Sequence, residues 1–128
     1  MQTIISIKDK CPNAYILFAD ASVRQVPPMQ YAAISRSVNY FVTMDEKYNE
    51  DVIMLSQGGR KSHAETALLY HILVRLKTDP NLQKVMHSVS RVFKITGRLE
   101  LDDGFDFFAY DNLFGKYVFK KRIPSWMP

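Results

Sequence analysis

Residues 15–45, YILFADASVRQVPPMQYAAISRSVNYFVTMD, hold two short apolar runs on either side of a proline-marked segment. Tyr15-Ile16-Leu17-Phe18-Ala19 is compact, aromatic and β-branched, and it closes on Asp20, so its length and content predict a buried strand. Asn39-Tyr40-Phe41-Val42-Thr43-Met44 predicts a second strand, again closed by an acid, Asp45. Between them Val26-Pro27-Pro28 is a turn, and Pro28 suits the first position of a short helix through Ser35, where its missing N–H costs no hydrogen bond. Strand, helix and strand in that order imply an α/β layer with at least partly parallel strands.

Outward from this unit the pattern continues. Thr3 to Lys10 fits a short helix carrying Ile4, Ile7 and Cys11 on one side, stopped by Cys11-Pro12-Asn13. Val52-Ile53-Met54-Leu55 is a short apolar piece, strand or turn, ended by Gln57-Gly58-Gly59. Ser62 with Glu65 forms an S-x-x-E capping box, after which Ala64, Leu68, Ile72 and Leu76, flanked by Leu69 and Leu73, predict a helix with one wide apolar face. Asp79-Pro80 ends that helix, and Pro80 opens a shorter one through Ser88. Arg91 to Thr96 predicts a third strand cut off by Gly97, and Tyr117 to Lys121 a late one.

The bulk numbers bound the rest. At 128 residues the chain is one domain with a single core. Seventeen Lys and Arg against thirteen Asp and Glu leave a net charge of +4, which suits anionic partners without choosing among them. A nucleic-acid role would need basic and aromatic residues interleaved on one face, as in Tyr117 to Arg122. The acidic stretch from Glu100 to Asp111 argues against it. One cysteine, Cys11, excludes an internal disulfide, and no Cys/His cluster has zinc spacing. No apolar run approaches the roughly 18 residues of a membrane span, so a reduced, cytoplasmic setting is expected.

Three features carry candidate chemistry. Ligands of open α/β sheets bind beyond the carboxyl ends of the strands, where this chain places Asp20 with Ser22, Asp45, and Thr96-Gly97-Arg98. Polar residues that simply end strands are the plain alternative. Gly58-Gly59-Arg60-Lys61 leads into a helix start, where close backbone approach and free N–H groups favour an anion, although neither the Walker A nor the G-x-G-x-x-G pattern is present. Lys94 in an apolar strand must be paired or face a cleft. Arg98 can grip a diphosphate in two-pronged fashion, and Asp102 with Asp103 can hold a divalent cation or form a solvated turn. His63, His71 and His87 make no metal set and read as solvated or capping residues, with His71 on the polar flank of its helix.

At KITGRLELDDGFDFFAYDN (94–112), followed by KYVFKKR and SWM, the chain resembles a group of GT-A-like, glycosyltransferase-like proteins of bacteria and large viruses. Those proteins are associated with surface polysaccharide and glycan synthesis. In that group a K-[IL]-[ST]-G-R-Y stretch closes a strand and precedes an L-x-D-x-F-D-like segment. SIKDKCPNAYILFADAS (6–22) resembles the group's S-I-R-x-x-x-P-x-A-x-I-x-L-x-D-x-S segment, and GGRKSHAETALLYHILVRL (58–76) its N-K-G-x-x-E-x-x-L-L helix start.

The resemblance implies a Rossmann-like, three-layer domain with a mostly parallel sheet. It would bind a nucleotide-sugar donor and pass the sugar to a glycan or lipid-linked acceptor. Lys94 and Arg98 would be catalytic, Asp20, Ser22, Gly58, Gly59, Arg60, Glu65, Thr96 and Gly97 would line the donor site, and Asp102 and Asp103 would hold Mn²⁺ or Mg²⁺. Leu99 stands where the group has an aromatic residue. The group's first strand and its acceptor-site residues have no counterpart here, which implies a domain incomplete at both ends, with an open sheet edge through which copies can associate. A degenerate, non-catalytic α/β binding module is the alternative reading.

Overall fold

The computed structural model describes residues 1–20, 26–43, 61–95, 100–113, 115, 116 and 118, and only the backbone of Lys61 and Ser62. Among the described residues the chain is mixed α/β, with α1 (Gln2–Lys10), β1 (Leu17–Asp20), α2 (Pro28–Ser37), β2 (Tyr40–Thr43), α3 (Lys61–Thr78), α4 (Pro80–Ser88) and a 3₁₀ helix (Phe107–Tyr110). The two strands run parallel in the register Leu17 to Tyr40, Phe18 to Phe41, Ala19 to Val42 and Asp20 to Thr43.

The β1–α2–β2 unit follows from its residues. Pro28 occupies the start of α2, and the Pro27 carbonyl accepts the Tyr31 N–H at 2.9 Å. Parallel strands need a crossover, and α2 provides it. Asn39 sets the register. Its side-chain oxygen accepts from the Ile16 N–H at 2.8 Å, while the Ile16 carbonyl accepts from Asn39 and Tyr40 N–H at 3.0 and 3.1 Å. Phe18 meets its register partner Phe41 edge-on at 5.4 Å between ring centres, and Tyr31 of α2 covers Phe41 at 4.9 Å.

Val42 and Leu82 are the large side chains most completely removed from solvent, with Ile4, Ile16 and Ala64 also buried. Asp79 joins the sheet to the helical layer. Its Oδ1 caps α4 by accepting from Asn81 N–H at 2.9 Å and Leu82 N–H at 3.4 Å, and its Oδ2 accepts from the Tyr40 hydroxyl at 2.7 Å. One carboxylate thereby satisfies the orphan donors of a helix start and the hydroxyl at the head of β2.

Three sequence expectations are corrected here. Residues 91–95 are not a strand. Phe93 packs instead into an aromatic cluster with Phe105, Phe107 and Tyr110, at 6.1, 4.9 and 5.7 Å between ring centres. The Arg91 side chain donates to the Asp111 carbonyl and lies 3.6 Å from its carboxylate. These residues meet their partners through rings and a guanidinium, so no ladder is needed to hold them.

Helix α3 already includes Lys61, so Ser62 lies inside the helix rather than at its cap; such boundaries shift by a residue or two. Finally, α3 is rolled relative to its apolar pattern. His71 is buried and edge-on to Tyr70 at 5.6 Å, whereas Leu69 and Leu73 are exposed. His63 and His87 stand in solvent. Expectations on Asp45, on 52–55 and on Trp126 lie outside the described residues, as does the late strand apart from Val118, which is not in a strand.

Candidate functional site

Site residues are positioned by two separate parts of the fold. At the sheet, β1 ends on Asp20 and β2 on Thr43, its register partner, so the carboxyl ends of both strands lie side by side. Asp20 is half-buried and already engaged in an interaction. Its expected neighbour Ser22 lies outside the described residues, as do Gly58, Gly59, Arg60, Thr96, Gly97 and Arg98. Glu65 is exposed on the first turns of α3, and Lys94 is exposed in the irregular stretch after α4. Lys94 therefore needs neither the partner nor the cleft that a buried strand would require, because it stands in solvent outside any strand.

At the other site, α1 and residues 100–103 enclose an open groove of about 310 Å³. Gln2, Ser6, Asp9 and Lys10 contribute from α1, Glu100 and Asp103 from the facing segment, and Ile5 and Leu101 supply the apolar part of the lining. Its volume is at the small end of the range for small-molecule sites. Two contacts hold its walls together. The Ser6 hydroxyl donates to the Thr3 carbonyl at 2.8 Å and accepts from the Leu101 N–H at 3.0 Å. The Lys10 ammonium meets Asp103 Oδ1 at 2.9 Å.

Asp102 and Asp103 belong to a tight turn. Asp102 Oδ1 accepts from the Gly104 N–H at 3.0 Å, and its carbonyl from the Phe105 N–H at 3.1 Å. A side chain at Gly104 would crowd that oxygen, with a Cβ only 3.3 Å away. The Lys10 ammonium, through its hydrogen bond and then its charge, holds the Asp103 carboxyl below the usual carboxylate range. Asp103 nevertheless stands fully in solvent, which screens the pair.

Among the described residues no three His, Cys, Asp or Glu side chains converge to hold a metal ion. Each of the paired acids has a donor of its own, Gly104 N–H for Asp102 and the Lys10 ammonium for Asp103.

Of the expected residues, the structure brings Asp102 and Asp103 together at one turn, with Asp103 on the groove. Asp20, Glu65 and Lys94 do not line it. Sequence reasoning missed Asp9, Lys10 and Glu100, and Ser6 as the link between the walls. Nothing local shows that these residues meet, because Lys10 and Asp103 lie 93 positions apart in the chain.

Among the described residues no helix is long and apolar enough to cross a membrane. No protein-family model matches this chain, and neither a curated protein nor a solved structure matches it.

Proposed function

We propose that this chain is a glycosyltransferase-like domain of the Rossmann-like, GT-A-like kind, acting in the cytoplasm on a nucleotide-sugar donor and a glycan or lipid-linked acceptor. The observation that supports it most is the parallel β1–α2–β2 unit with Asp20 closing β1. Ligands of open α/β sheets bind beyond such strand ends, and an acid there can accept hydrogen bonds from a ribose or a base.

In this reading Gly58, Gly59 and Arg60 cradle the donor diphosphate, Arg98 grips it in two-pronged fashion, and Lys94 adds positive charge. Ser22, Glu65, Thr96 and Gly97 line the donor site. A divalent cation bound by Asp102 and Asp103 would neutralise charge on the leaving diphosphate. The acceptor hydroxyl oxygen bonds to the anomeric carbon as the bond from that carbon to the diphosphate oxygen breaks. The electron pair leaves on the diphosphate, and the hydroxyl proton passes to a carboxylate base.

The test is a thermal-shift screen of the purified chain against UDP-, GDP-, CMP- and dTDP-sugars, with and without Mn²⁺. One nucleotide family should stabilise the protein in a metal-dependent way, by about 2.7 kcal/mol at a hundredfold excess over Kd. Arg98→Ala should abolish the shift, and the Asp102→Asn/Asp103→Asn pair should abolish its metal dependence. A folded chain that responds to none of the donors sets the enzyme reading aside.

To hold a cation Asp103 would have to give up Lys10, and a non-catalytic module that keeps this pair and binds the donor without metal is the second reading. Donor stabilisation that is indifferent to Mn²⁺ and to the Asp pair would select it.

A further inference from the structure

We draw no further inference here: the strongest candidate outside the site already described, the exposed apolar strip of Leu69, Tyr70 and Leu73 along α3, has nothing in the structure to show what covers it.

Discussion

Replacing Leu82 by alanine tests the packing on which the helical layer depends. Leu82 keeps 1% of its surface exposed in the first turn of α4, beneath the Asp79 cap. Truncation removes three side-chain carbons, and at about 0.8 kcal/mol each the lost transfer energy is about 2.4 kcal/mol. The cavity left by partial collapse brings the loss to about 3 kcal/mol. For a chain of this length each kcal/mol lowers Tm by roughly 3–5 °C, so Leu82→Ala should melt about 10 °C lower.

The same substitution at Leu73, 49% exposed on α3, removes about half the transfer term and opens no cavity. Its cost should be about 1 kcal/mol or less. Thermal melts followed by circular dichroism, with urea midpoints at unchanged m, measure both. Equal losses, or a larger loss at Leu73, would refute the burial pattern and with it the roll of α3. Should Leu82→Ala fail to fold, the milder pair Leu82→Val and Leu73→Val carries the same comparison, with the larger loss expected at Leu82.

The Tyr40–Asp79 bond should make stability depend on pH at both extremes. The Tyr40 hydroxyl, ahead of the Asn81 N–H, holds the Asp79 carboxyl below its ordinary value of 3.8. Its contribution is therefore complete above that value and lost as pH falls through the lowered one. Tyr40 is raised above 10.0, chiefly by its bond to Asp79 and then by burial, so its contribution holds below that value and is lost as pH climbs through the raised one. Tyr40→Phe should flatten both limbs of a plot of urea midpoint against pH, and unchanged limbs would count against the bond. Ser6→Ala removes the acceptor for the Leu101 N–H and should speed hydrogen exchange at that amide by roughly two- to tenfold. Exchange confined to wild-type rates would show that 100–103 is held to α1 by something else. Lys10→Ala should leave Tm essentially where it is, because Asp103 is fully exposed, whereas a large drop would mean that the pair is shielded from water.

Local chemistry in the sequence determined most of the described elements. Pro28 starts α2, Asp79-Pro80 separates α3 from α4, and the apolar runs before Asp20 and at 40–43 become the paired strands. Such signals act within a few residues, through fixed proline dihedrals, capping and the period of apolar side chains, so they can be read without a partner. The place of Asp20 at the end of a strand was legible in the same way.

Only the tertiary structure decided the remainder. Arg91 to Ile95 has strand composition, yet a strand exists by pairing, and Phe93, still 38% exposed, meets the rings of Phe105, Phe107 and Tyr110 instead. The apolar face of α3 is broad enough to accept more than one rotation, so its neighbours, and not its period, bury His71 and leave Leu69 and Leu73 outside. The groove between α1 and residues 100–103 joins side chains about ninety positions apart, and Asp103 reads as a cation ligand or a turn residue until the fold sets Lys10 beside it.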